Sequence, residues 1–157
     1  MRFKFIEQPD ERDCGPTCLA MICKYYKKQV SISKIRVYAG TDLYGTNLLG
    51  MMKAGEKLGL NIEAYEVNDL EELRKVNKPF IAHVINNEGF EHFIVIKKIT
   101  NKYFHITDPA KGHYKLKKSE FCKIFTNVVL TIENNSEKEP IESFTTFNYF
   151  KNIFKSN

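Results

Sequence analysis

The hydrophobic period of this chain changes part-way along, and that change restricts the fold more than any other feature. Up to residue 59 the apolar residues recur at helical spacing; beyond it most lie in short β-branched and aromatic runs. A first helix is expected over 14–26, capped by Asp13, with Pro16 tolerated in the first turn because an N–H there has no partner to lose. Cys18, Ile22 and Tyr25 or Tyr26 make its apolar stripe. A second helix starts at Ser33 and stops at Gly40. A third is capped by Thr46, turns Leu48, Leu49, Met52 and Leu58 inward and stops at Gly59. Alternation over 61–67 predicts a strand, and 69–76 a short helix. Segments 80–85, 92–99, 103–107 and 128–132 read as further strands, with turns at 86–89 and 101–102 and a short helix over 118–125. Helices first and an antiparallel sheet second define an α+β chain with an N-terminal helical lobe and a C-terminal sheet lobe.

With 157 residues, 43% of them hydrophobic, the chain can bury one real core, which excludes a disordered segment. No apolar run reaches bilayer-spanning length, and the charged start MRFKFIEQPDERD is not a secretory signal. The net charge of +5 is spread among alternating Lys and Glu, which argues against nucleic acid and suits an acidic peptide. Three of the four cysteines, Cys14, Cys18 and Cys23, share one expected helix, where they lack the geometry to pair; free thiols in a reducing compartment follow. From Asn134 the pattern stops at a linker-like NNSEKEP. Beyond it Ile141, Phe144, Phe147, Phe150 and Phe154 predict an amphipathic helix with an aromatic face. The expected division is a domain over 1–133 and a linker with helix over 134–157.

Chemistry concentrates at Gln8 and at Asp13-Cys14-Gly15-Pro16. A cysteine in the first turn of a helix meets the positive end of the helix dipole and free N–H groups, which favour the reactive thiolate. The Cys14 N–H can point at a developing oxyanion, and the Gln8 amide can swing in as second donor. Gly15 would let a substrate backbone approach, and Asp13 stands beside it as a substrate-binding candidate. The plain alternative for Cys14 is a small buried core filler. Among four histidines, His92 opens the apolar strand after a Gly-containing turn. His83 and His105 sit within strands, and His113 lies in a Lys/Gly turn. Asp108 closes the strand after that of His92 and could orient its imidazole, although Asp108-Pro109 also reads as a simple turn start. Side chains alternate with period two, so a regular two-residue hairpin would put His92 and Asp108 on opposite faces. A shared face requires an odd loop, a bulge, or an Asp108 outside the ladder.

Four segments in order, Gln8…Asp13-Cys14-Gly15-Pro16, Thr41-Asp42-x2-Gly45-Thr46, His92-Phe93-Ile94-Val95-Ile96 and Asp108-Pro109-x2-Gly112, resemble peptidase family C39 over about residues 1–133. These are the papain-like N-terminal domains of bacteriocin-processing ABC transporters. The resemblance implies a cysteine endopeptidase with Cys14 as nucleophile, His92 as base, Asp108 as orienting acid and Gln8 as oxyanion donor. It implies no cofactor or metal for this domain. The implied substrate is a precursor peptide with a helical leader and a Gly-Gly or Gly-Ala cleavage site. The implied partners are a transmembrane domain and a nucleotide-binding domain using ATP and Mg, in a homodimeric transporter at the cytoplasmic face of the bacterial membrane. No GxxxxGK[ST] phosphate loop occurs here, so the 157 residues are expected to be one domain of such a protein, with the aromatic tail leading towards the membrane. Three other readings compete: a zinc module built on Cys14, Cys18 and Cys23, a docking domain that only captures the leader, and a papain-like acyltransferase.

Overall fold

The computed structural model describes residues 2–135 and the backbone of the pair Asn148–Tyr149. After an extended entry and one 3-10 turn, Glu11–Asp13, the helices α1 (Cys14–Tyr25), α2 (Ile32–Ala39) and α3 (Leu48–Leu58) follow in succession. Strand β1 (Leu60–Glu66) and a 3-10 segment, Leu70–Lys75, lead into β2 (Phe80–Ile85), β3 (Glu91–Ile99), β4 (Tyr103–Asp108) and β5 (Gly112–Lys117). Helix α4 (Lys118–Ile124) and β6 (Phe125–Asn134) close the domain, and a two-residue β7 (Asn148–Tyr149) pairs with β1. The strands form one antiparallel sheet in the order β5-β4-β3-β2-β6-β1-β7.

Each face of the sheet has its own core. One joins α1, α2 and α3 to Ile62, Ala64, Ile81, Phe93, Val95, Leu130 and Ile132. The other joins the opposite side chains of the same strands, among them Ala82, Val84, Ile94, Ile96, Ile106 and Val129, to Leu73 and Phe121. Phe121 of α4 stacks on Phe104 at 4.4 Å and on Phe125 at 4.9 Å between ring centroids. Helix α1 is more deeply placed than its expected stripe: every residue from Gly15 to Cys23 is buried. A helix apolar on all sides belongs inside a protein, and α1 lies between the sheet, the other helices and the entry segment at Phe3.

Several local expectations change. The cap of α3 is Asn47, whose side chain accepts from the Gly50 N–H at 2.8 Å; Thr46 instead bonds Thr41. The cap of α2 is Ser31, accepting from the Lys34 N–H, which starts this helix earlier than Ser33. The segment over 69–76 winds as a 3-10 helix capped by Asp69. His113 lies in strand β5, not in a turn. Of the amphipathic helix expected over 141–154, only Asn148–Tyr149 are described, and they are strand; the remainder lies outside the described residues.

Candidate active site

Cys14 opens α1, whose second turn is tied to strand β3: the Cys18 thiol donates to the Phe93 carbonyl at 3.4 Å. That bond sets the helix start beside the residue preceding Phe93, which is His92. Gly15 permits the same close packing. A side chain there would come to 2.9 Å of Met51 Sδ and 3.3 Å of Thr46 Cβ. Gly15 is therefore buried under α3, where the lack of a side chain serves the packing of α1. Asp13 is also held within the helical packing. It is only 1% exposed and makes no capping bond; Arg36 of α2 binds both carboxylate oxygens, Nε at 2.6 Å from Oδ1. With both oxygens bound by the Arg36 guanidinium, Asp13 joins α1 to α2.

His92 and Asp108 meet at the end of the sheet where β3 begins and β4 finishes. The His92 Nε2 lies 2.7 Å from Asp108 Oδ1, and both side chains are buried. The Cys14 thiol lies near enough to the imidazole to favour its charged form. Nε2 is thus turned to Asp108, and Nδ1 is the ring nitrogen that the carboxylate does not engage. Burial alone would lower the His92 pKa, but the bonds to Asp108 and Cys14 outweigh it and raise it to about 9. Burial opposes the charge on Asp108 too, yet the His92 bond, the Ala110 N–H and the Tyr114 hydroxyl hold its pKa below the ordinary value.

Gln8 approaches from the entry segment. Its backbone N–H donates to the Pro109 carbonyl at 2.8 Å, which ties it to the residue after Asp108. Its side-chain Oε1 is buried without a partner among the described residues, so no structural bond holds the amide by its oxygen. A cavity of about 650 Å³ opens onto the far side of the pair, lined by Val84, Asn86, His92, Asp108, His113 and Tyr114 among others. Two other histidines bond hydroxyl groups instead: His83 bonds Thr126, and His113 bonds Thr107. Cys18 and Cys23 are fully buried, and among the described residues no three His, Cys, Asp or Glu side chains converge on a metal-sized point. Tyr114 was not singled out from the sequence; its strand, GHYKLK, is short and highly charged, and only its alternation marks it.

A cysteine at the start of a buried helix, set against a strand-borne His–Asp pair across a helix–sheet junction, defines a papain-like cysteine peptidase fold. The comparisons narrow this class. The chain belongs to the Peptidase C39 family, whose sequence profile matches residues 2–137. The lactococcin-G-processing and transport ATP-binding protein LagD of Lactococcus lactis subsp. lactis is 38% identical over 149 residues, covering 92% of this chain and 21% of that protein. The chain spans about a fifth of the length of the curated relatives it matches. The peptidase domain of Streptococcus ComA, a bi-functional ABC transporter of a quorum sensing pathway, superposes with a TM-score of 0.78 at 30% identity, covering 83% of this chain and 98% of that one. A double glycine motif protease from an AMS/PCAT transporter, solved in complex with the leader peptide, superposes with a TM-score of 0.75 at 34% identity, covering 85% and 92%. Among the described residues no helix is long and apolar enough to cross a membrane.

Proposed function

We propose that this domain removes a double-glycine leader from a bacteriocin or peptide-pheromone precursor, with Cys14 as nucleophile, His92 as acid and base, Asp108 as orienting carboxylate and Gln8 as oxyanion donor. The observation that carries the reading is the 2.7 Å His92–Asp108 bond, beside a helix that opens at Cys14 and is tied to the same strand through Cys18 and Phe93. The Cys14 thiolate attacks the carbonyl carbon of the scissile bond. The oxyanion forms beside the Cys14 N–H and the Gln8 amide. Protonated His92 gives its proton to the departing amine, leaving a thioester. Neutral His92 then takes a proton from water, whose oxygen attacks the thioester. The leader leaves with a free carboxylate and the sulfur is restored. Asp108 holds the ring tautomer and orientation throughout.

The substrate class follows from the relatives, one of which was solved with its leader peptide. A helical leader would dock by its apolar face, and the +5 charge of the chain favours an acidic one. The same kinship supports a parent protein in which a transmembrane domain and an ATP- and Mg-dependent nucleotide-binding domain export the product. That parent would be a homodimer with this domain at the cytoplasmic face of the bacterial membrane. Residues 134–157 would lead from the peptidase domain towards the membrane part. The domain itself takes no cofactor or metal in this reading.

The test is to incubate the domain with double-glycine precursors and read the products by mass spectrometry. Cleavage after the glycine pair is expected with wild type and none with Cys14→Ala, which should still bind the leader. Cutting by Cys14→Ala overturns the nucleophile, and capture without any cut by the wild type would leave a docking domain.

A further inference from the structure

We propose that Tyr114 is a positioning residue for the reaction: its hydroxyl fixes the plane of the Asp108 carboxylate and, through it, the His92 imidazole. The inference rests on the Cys14–His92–Asp108 reading above. Asp108 Oδ1 accepts two hydrogen bonds, from His92 Nε2 at 2.7 Å and from the Ala110 N–H at 2.8 Å. Both meet at one atom, so alone they leave the carboxylate free to turn about that atom. The Tyr114 hydroxyl donates to the other oxygen, Oδ2, at 3.0 Å. Two separated anchor points determine a plane where one does not. With the plane set, a lone pair of Oδ1 is directed at Nε2, which fixes the orientation of the imidazole ring.

The fold supplies Tyr114 by strand register. Strands β4 and β5 pair with Ile106 opposite Tyr114 and Asp108 opposite Gly112. Tyr114 therefore shares a face with Asp108 and is its diagonal neighbour, a separation that an aromatic side chain can bridge. Gly112, directly opposite Asp108, has no side chain to stand in the way, and its φ of +94° closes the turn back into β5. The phenol lies at the wall of the 650 Å³ cavity, half-buried. Burial and the adjacent carboxylate both keep it protonated, and hence a donor, across the working pH range.

The experiment is a double-mutant cycle on precursor cleavage with Tyr114→Phe, Asp108→Asn and the double variant. Tyr114→Phe removes one oxygen and keeps the ring packing. It is expected to lower kcat about tenfold, as for the loss of one hydrogen bond to a charged group, with KM within twofold. In the Asp108→Asn background the same change is expected to have no further effect, because Tyr114 acts through that carboxylate. Additive losses, or an unchanged kcat in Tyr114→Phe, would overturn the proposal. An Asp108→Asn variant with full kcat would instead overturn the parent reading, so the two failures are distinct. A measurement on the wild type covers the case in which Tyr114→Phe does not fold. The Tyr114 ring-carbon NMR shift should remain that of a neutral phenol at about pH 10.5, where a free tyrosine is mostly ionised. Ionisation of Tyr114 at that pH would show that its hydroxyl is not held by the carboxylate, and would refute the contact.

Discussion

His92 and Asp108 face one another because strand β3 carries one residue more than its partner. Near the turn, Ile99 pairs with Phe104 and Lys98 with His105, but the next pairs are Ile96 with Ile106 and Val95 with Thr107. Lys97 is skipped. In the register of the first pairs, His92 and Asp108 would lie on opposite faces; the bulge moves the strand by one residue and brings them to the same side. Deleting Lys97 should restore regular pairing and separate the two. Misplacement on that scale costs about a hundredfold or more in turnover, and cleavage assayed beside circular dichroism would separate this from unfolding. Retained activity would mean that the bulge does not align the pair.

The pH dependence follows from His92. Its pKa is near 9 in the folded protein against an ordinary 6.5. Protonation therefore stabilises the fold fully below about 6.5, and that contribution fades as pH rises through 9. In the proposed mechanism the His92 imidazolium protonates the leaving amine, and it is lost in the same range, so kcat/KM should fall on an alkaline limb near pH 9. Asp108→Asn removes a raising contribution and should move that limb to lower pH. A limb that stays in place would exclude His92–Asp108 coupling.

Alkylation should divide the thiols by exposure. Cys18 and Cys23 are wholly buried, and burial raises both pKa values, that of Cys23 to about 11. Iodoacetamide on native protein should label half-exposed Cys14 and exposed Cys122 alone, with the buried pair reacting only after denaturation. Peptide mapping reads the result directly.

Gln8→Ala should lower kcat with little change in KM, since an oxyanion contact forms mainly in the transition state. Loss of one such donor costs about 2.7–4 kcal/mol in comparable hydrolases. The backbone bond from Gln8 to Pro109 survives the substitution, so the entry segment should keep its place. A change confined to KM would assign Gln8 to substrate positioning instead.

Stability should depend on the core that faces away from α1. Phe121 is fully buried between Phe104 and Phe125, and Phe121→Ala should cost about 3–5 kcal/mol by urea unfolding. Gly50→Ala should also destabilise, because a methyl there would come to 2.2 Å of the Ala39 carbonyl oxygen at the α2–α3 contact.

Sequence alone determined the order of the helices and of five strands, β1 to β4 and β6, the start of α1 at Cys14 and the need for an irregularity between His92 and Asp108. All of these rest on hydrophobic period and on the parity of strand positions, which are local or nearly so. It left β5 unread, since GHYKLK sets only Tyr114 and Leu116 between His113, Lys115 and Lys117 and lies at the sheet edge, where no continuous apolar run forms. It offered Asp13 and Gly15 as substrate-binding candidates from their nearness to Cys14, which does not say which way a buried helix faces. Only the tertiary structure could bring Arg36 onto Asp13 and Met51 onto Gly15, and set the Tyr114 hydroxyl on Asp108. The first two depend on the packing of three helices, the last on the register of two strands. Such contacts are made by groups distant along the chain, and no repeat in the chain encodes the distance between them.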